Sequence, residues 1–594
     1  MAHVLIRMRL AVLRHSMRGD RAATLAGGVL IGLALAAGTI AVAVLWPELL
    51  PAALACWLMG WVFGPVLLGG GDESLRPEYF AMIPATPRRK AAALLAGAFA
   101  GPAPAVTLVA LLSLPVHGAR FGLLGVLVGL PAAVLTLVVM VVLSRVVVAL
   151  LALFVRSRAT AAAAGAVMGS AIALAGNGWA PAAALGAGDG LAWADGLLKV
   201  LPSGWGVAAV ESSWPVALAV LAGGGAAVAL LLSAWAALLA RRVTSAARGG
   251  VPARRGRPRP FPLAGGARAV AAKELRAWWR DLVRIQLLSV AFSYALVFPL
   301  LLVALDSWIM VPFTGLIAVV MAAGTSANMY GTDGTALWLT LMTPGAERAD
   351  VRGRQLAWLL VVGPPAVLLT LAGTAVSGEG WAWPWVLGLL PAVLGGAAGL
   401  IVLVAVACLV PGTDPHKRGG NPLSTGADEG AETGLVWLML VAVPAAALPV
   451  AAVVPFWPWA GVPVGLATGA LAVWGLGALA HRRLAASGPE LLNLMKHGPA
   501  PEPARDQGKP TMSDLPLKHR IAVTCCYSIA WLPLFPQGLV PMAFKIIGVE
   551  DRVWFLALHL PEVWQWPTIA CMIALGLLMY GYAVLIPMRL GSSP

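Results

Sequence analysis

Fourteen runs of about twenty apolar residues, separated by short polar segments, leave this chain few ways to fold. They cover approximately 22–46, 51–69, 91–114, 121–143, 160–176, 214–240, 285–305, 308–327, 356–376, 385–410, 435–454, 461–480, 521–547 and 568–588. One such run crosses a bilayer as a helix, and lipid forbids unpaired backbone groups, so helices are expected throughout. Packing them into a soluble core would require a surface built from Leu, Val and Ala. The chain is 60% hydrophobic and 11% charged, against about 25% charged residues in soluble proteins. Ala and Gly abound, as close helix contacts in a membrane require. The stretch 144–155 either extends the fourth run or lies at the interface. The run 521–547 carries Pro533, Pro536 and Pro541 and is expected to kink or re-enter.

The charge of +15 suits either nucleic acid or a membrane protein, and its distribution decides between them. With the amino-terminus (Arg7, Arg9, Arg14, Arg18, Arg21) placed inside, the outer loops hold only Arg120, Lys199 and Arg552, with Lys545 at a span edge. These are four of the 41 Lys and Arg residues. That split follows the positive-inside rule. It predicts a multi-pass protein of the cytoplasmic membrane with both termini cytoplasmic and no nucleic-acid partner. The basic amphipathic start precedes a full-length span and is not read as a cleavable signal. Cys56, Cys408, Cys525, Cys526 and Cys571 lie in or beside apolar runs without metal-ligand spacing and are read as small hydrophobes.

An internal repeat is legible. At a shift of 261, Asp72 falls on Asp333 and Pro104-Ala105-Val106 on Pro365-Ala366-Val367. At 262, Arg14 and Arg18 fall on Arg276 and Arg280. The expected architecture is an all-α polytopic membrane protein of about 14 spans: a six-span repeat (1–242), a basic Pro- and Gly-rich cytoplasmic linker (243–262), a second six-span repeat (263–485), and a polar loop with two added helices (486–594). Amphipathic stretches 3–18 and 268–284 lead into the repeats as membrane-surface helices, with Trp278 and Trp279 as interface anchors.

No GxxxxGK[ST] loop, HExxH, paired CxxC or Gly-x-Ser-x-Gly occurs, so no ATP hydrolysis, metal or cofactor chemistry is expected of this chain itself. The apolar runs are nearly free of Asp, Glu and His, which ion-coupled carriers usually need. A machine driven from its cytoplasmic face fits better. Two segments are placed to receive that drive, 70–90 and 328–355. Each combines charge with an apolar stripe and ends in a Pro-containing turn and basic residues. The candidate partner-contact residues are Asp72, Glu73, Arg76, Tyr79 and Phe80 in the first, and Asp333, Trp338, Leu341, Glu347 and Arg348 in the second. Asp72, Glu73 and Asp333 stand near the starts of short helices, where acids suit the helix dipole. The competing interpretation is that both segments only anchor the bundle. Trp57, Trp61 and Phe63 either line a path for an apolar substrate or pack helices. The loop 177–213, with Asp189, Asp195 and Glu211, either caps an exit path or is passive.

The basic lead-in helices (RLAVLRHSMRGDR, KELRAWWRDLVR), the six-span pattern and the segments GGGDESLRPEYFAMIPATPRRK and MYGTDGTALWLTLMTPGAERADVRGRQLA resemble the fused two-repeat permeases of type-2 ABC exporters, the actinobacterial ones above all. The resemblance covers roughly 1–485. It implies alternating access between the halves, coupling helices at 70–90 and 328–355, and a separate ABC ATP-binding protein, expected as a dimer, which supplies ATP and Mg. It also implies export of a drug, an antibiotic or a lipid-like metabolite. The charge-poor spans suit an amphiphilic or lipophilic substrate. Two features depart from the pattern: the outer loop 454–460 is very short, and 486–594 has no counterpart. The alternatives are an ion-coupled carrier, a membrane-embedded lipid-linked transferase, and a scaffold or signalling subunit.

Overall fold

The structure is a computed structural model that describes residues 2–16, 20–67, 86–154, 157–176, 196, 198–247, 266–304, 307–412, 429–497, 516–539, 541–542, 545 and 556–590. Its elements are helical, with no strand among the described residues. In order they are α1 (Ala2–Ser16), α2 (Asp20–Leu45), α3 (Leu50–Leu67), α4 (Pro87–Ala98), α5 (Pro102–Leu111), α6 (Ser113–Gly118), α7 (Gly122–Phe154), α8 (Arg158–Gly176), α9 (Trp205–Glu211) and α10 (Trp214–Ala247). There follow α11 (Gly266–Arg280), α12 (Leu282–Val303), α13 (Thr314–Thr325), a 3-10 turn (Gly331–Leu337), α14 (Trp338–Leu341), α15 (Ala346–Ser377), α16 (Ala382–Ala407), α17 (Glu429–Ala445), α18 (Leu448–Val453) and α19 (Gly461–His497). Then come α20 (Leu517–Ile529), α21 (Trp531–Leu534) and α22 (Glu562–Leu590).

Ten helical stretches among the described residues are long and apolar enough to cross a membrane. The protein is therefore an all-α polytopic membrane protein. The difference from fourteen runs has local causes. The run 91–114 is divided, because α4 ends at Ala98 and Gly101, in extended backbone, precedes Pro102 at the start of α5. The runs 160–176 and 308–327 form helices whose apolar parts, Arg158–Leu174 and Val311–Thr325, are shorter than a span. The run 521–547 breaks after Ile529 into a four-residue helix and the π turn Phe535–Leu539, as its prolines dictate. Residues 144–154 extend the fourth run: α7 has 33 residues, about 50 Å at 1.5 Å per residue. The amphipathic stretch 268–284 is not one helix. Asp281 ends α11 and caps α12, its carboxylate accepting from Val283 N at 2.9 Å, which places Arg284 on α12.

The helices beginning at Asp20 and Leu282 stand 262 residues apart, and those at Gly122 and Ala382 stand 260 apart. Before α7 the first segment is broken into α4, α5 and α6, where before α16 the second runs as the single helix α15.

Glycine sets the closest contacts. Along α16 and α19, Gly388, Gly395 and Gly399 meet Gly461, Gly465, Gly469 and Ala472; a Cβ on Gly465 would stand 1.9 Å from the Gly388 carbonyl oxygen. This seam bounds the main core, which is built on Trp358, Ile401, Met439 and Leu484. The two segments join where α8 crosses α12, at Gly165 and Gly169. The carboxy-terminal helices bridge both segments. Thr524 of α20 packs on Gly27 of α2, while Ala557, Leu558 and Ile569 form a cluster with Leu302 and Ile309.

Trp57, Trp61 and Phe63 pack beside a cluster of Leu58, Val62 and Met140. The indole N–H of Trp57 donates to Thr39 Oγ1 and that of Trp61 to Thr107 Oγ1, each at 3.0 Å. They hold α3 to α2 and α5. Glu211 is paired as well, 3.3 Å from His117 Nε2 and 3.4 Å from Lys199 Nζ. Asp189 and Asp195 lie outside the described residues.

A candidate partner-contact site on a buried charge network

The segment 328–355 enters the structure as a turn, a single helical turn and the start of a long helix. Apolar Met329, Tyr330 and Leu337 are buried and hold the turn against the core. Gly334 (φ 56°) and Gly345 (φ 73°) reverse the chain at either end of α14, in backbone that other residues adopt only with strain. Between them the surface turns outward. Trp338, Leu339 and Met342 are 50%, 61% and 75% exposed, an apolar knuckle of three large side chains on five residues. Leu341 points the other way, toward Gly488 of α19. Glu347 is partly buried and Arg348 exposed at the start of α15.

Beneath the knuckle lies a network of seven charged side chains. Arg354 of α15, 1% exposed, sits at its centre. Its Nε donates to Asp350 Oδ2 at 2.9 Å, its Nη2 donates to Asp333 Oδ2, and its Nη1 faces Glu274 Oε1 at 3.2 Å. That last pair is close without hydrogen-bond alignment. Arg284 Nη1 donates to the other Glu274 oxygen at 2.8 Å. It also reaches Asp333 Oδ1 at 3.5 Å. Lys273 lies 3.2 Å from both Glu274 and Asp333. The Tyr330 hydroxyl donates to Asp350 at 2.7 Å, and the Arg354 guanidinium lies 4.2 Å over the Tyr330 ring. Asp281 adds a fourth carboxylate, 3.9 Å from Arg284 Nε, so four acids surround three cations. Buried charges are tolerated when paired in this way.

The network ties α11, the 3-10 turn, α12 and α15 into one unit. Asp333 is the hinge pin: it stands in the first turn of the 3-10 element, where the sequence expects an acid, but its side chain is spent on Arg354, Arg284 and Lys273. The side chain is 12% exposed. Sequence reasoning missed Glu274, Arg284, Asp350, Arg354 and Tyr330. One signal was available, the i, i+4 pair Asp350 and Arg354. Glu274 and Arg284 come from a segment read as a surface helix. Asp72, Glu73, Arg76, Tyr79 and Phe80 lie outside the described residues.

Burial alone would raise the Glu274 and Asp333 carboxyls. For Glu274, Arg354 outweighs that, aided by Arg284 and Lys273; for Asp333, Arg354 does so with Lys273 and Arg284. Both are held below the usual carboxylate range. Burial and the neighbouring Asp350 push the Tyr330 hydroxyl up, so it stays a donor. A depressed carboxyl stabilises the fold fully above its unfolded value, near pH 4, and loses that contribution as pH falls through its folded value. Thermal stability of the purified chain should therefore be flat in this respect from about pH 8 to 5 and fall below about pH 4. Glu274→Gln should remove part of the acid limb. An acid limb of unchanged depth in Glu274→Gln would dissociate the fall from this network.

Compared with protein-family models, with curated proteins and with solved structures, the chain matches none.

Proposed function

We propose that the chain is the membrane-spanning subunit of an ATP-driven exporter of the type-2 ABC class, with ATP and Mg bound by a separate ATP-binding protein at the basic end of the bundle. The supporting observation is the exposed knuckle Trp338–Met342 mounted on the ion-paired network. An apolar tip presented to solvent suits a groove on a partner, and a tip fixed to four elements transmits force instead of yielding to it. A push on the knuckle moves Asp333. Through Arg354 and Arg284 it moves the starts of α15 and α12, and α12 abuts α8 of the first segment. Motion at the basic end thus reaches the junction between the two segments, as alternating access requires. Trp338, Leu339, Met342 and Arg348 are the contact residues in this reading, and the segment around Asp72 is the corresponding contact of the first half. The substrate is amphiphilic or lipophilic, and the membrane is the cytoplasmic one with both termini inside.

The test is purification of the tagged chain from native membranes, with identification and ATPase assay of what accompanies it. Trp338→Asp with Met342→Asp should reduce recovery of an ABC ATP-binding protein by more than about 30-fold, the scale of losing a large hot-spot contact. Thermal stability should change little, since both side chains face solvent. Undiminished recovery of that protein with the double variant would refute the contact. Absence of any ATP-binding protein from the wild-type eluate would refute the exporter.

A further inference from the structure

A cleft of about 1010 Å³ opens beside the charge network, between the amino-terminal turn of α8 and the helices α11, α12 and α15. Its rim carries Arg158 from the first segment and Arg276 and Arg280 from the second; Leu288 and Val361 form part of its apolar floor. None of its thirteen lining residues is acidic, and among the described residues none of the three arginines pairs with a carboxylate. This contrasts with Arg284 and Arg354 of the neighbouring network, each of which meets three carboxylates. Trp279, 67% exposed, stands on the same rim, and the Arg158 guanidinium lies 5.0 Å over its ring. That contact joins the two segments across the cleft mouth.

We propose that this cleft binds one anionic phospholipid, its phosphate held by Arg158, Arg276 and Arg280 and its acyl chains laid on the apolar floor. Three unmatched guanidinium groups at the end of a transmembrane bundle present the charge that a phosphate diester complements. The apolar floor and the exposed Trp279 give the chains a surface that free phosphate would not use. A zwitterionic lipid would bring an amine that no acidic lining residue meets. Because the arginines come from both segments, the bound lipid closes their junction at the basic end. The proposal is independent of the exporter reading, and its test involves neither ATP nor a partner protein.

The full chain, purified in detergent and stripped of lipid, is titrated with dioleoyl phosphatidylglycerol, dioleoyl phosphatidylcholine or inorganic phosphate and read by native mass spectrometry. One phosphatidylglycerol per chain should bind, with phosphatidylcholine far weaker and millimolar phosphate failing to displace it. Arg158→Gln, Arg276→Gln and Arg280→Gln together should weaken binding on the order of 100-fold. Arg276→Gln alone, an exposed position safe for folding, should weaken it about 5-fold. The control Arg482→Gln, Arg483→Gln and Lys496→Gln removes equal charge from the same end of the bundle outside the cleft and should leave binding unchanged. Equal retention of phosphatidylcholine, displacement by phosphate, or equal loss in the control would each overturn the proposal. The first would show general lipid adhesion, the second a phosphate site and the third diffuse electrostatics.

Discussion

Arg354→Met should destabilise the protein by about 3–5 kcal/mol, the cost of breaking a buried ion pair by removing one partner. The position is 1% exposed and its partner Glu274 is fully buried, so solvent screening offers little relief. The substitution leaves Glu274, Asp333 and Asp350 facing only Arg284 and Lys273. Three buried acids then share two cations, and one of these, Arg284, also meets Asp281. The double variant Arg354→Met, Asp350→Leu sets Glu274 and Asp333 against Arg284 and Lys273 and fills both sites with apolar volume. It should recover much of the loss, because replacing a buried pair with hydrophobic groups is often neutral. Tyr330 then loses its acceptor at Asp350, which keeps the recovery partial. Denaturant unfolding of the purified chain in mixed micelles gives the two values. A single variant within about 1 kcal/mol of wild type, or strictly additive effects in the cycle, would show that Arg354 is not the keystone. Hydrogen exchange supplies a second readout: amides of 331–345 should exchange faster in the single variant, since the turn is pinned through Asp333.

The spans were legible because each apolar run stands against a charged or proline-bearing boundary, and hydropathy needs no partner to be read. Where this failed, the cause was local backbone chemistry. Gly101 with Pro102 divides a run that composition alone joins, and Asp281 splits an amphipathic stretch because its carboxylate caps the next helix. The segment 328–355 stands out in the sequence by its mixture of charge and apolar residues, and the structure exposes Trp338, Leu339 and Met342 there. The network beneath it was not. Glu274 and Arg354 are 80 residues apart, and nothing in either neighbourhood says that they share one buried site. Asp333 shows the limit most directly. Its position at a helix start satisfied a local rule, yet the structure uses its charge for a tertiary purpose that the rule does not contain. The indoles of Trp57 and Trp61 make the same point from the other side: their hydroxyl partners Thr39 and Thr107 lie on other helices.

Gly165→Leu with Gly169→Leu should open the junction between the two segments. The pair forms a GxxxG face, and each glycine lies directly on the backbone of α12. A Cβ on Gly165 would stand 2.2 Å from the Gln286 carbonyl oxygen, and one on Gly169 would stand 2.2 Å from both the Val290 carbonyl oxygen and Ser293 Oγ. Backbone cannot step aside as a side chain can, so the helices must separate. In a bilayer, apolar area supplies little drive to bring them back, since lipid tails are as apolar as leucine, and close packing carries the association. Separation also removes the contact of Gln286 Nε2 with Met168 Sδ at 3.2 Å. Overpacking costs about 1–3 kcal/mol per site, so the double variant should lose roughly 2–6 kcal/mol in the same unfolding measurement. Gly225→Leu is the control, because its Cβ would meet nothing within 4 Å; it should unfold like wild type. Wild-type stability in the double variant would mean that α8 and α12 do not form the junction. Loss in the double variant alone would establish that the segments meet through glycine. A seam of that kind lets two helices lie close yet slide without large side chains to disengage. Under the alternating access proposed above, it would suit a contact that holds while the two segments change their angle.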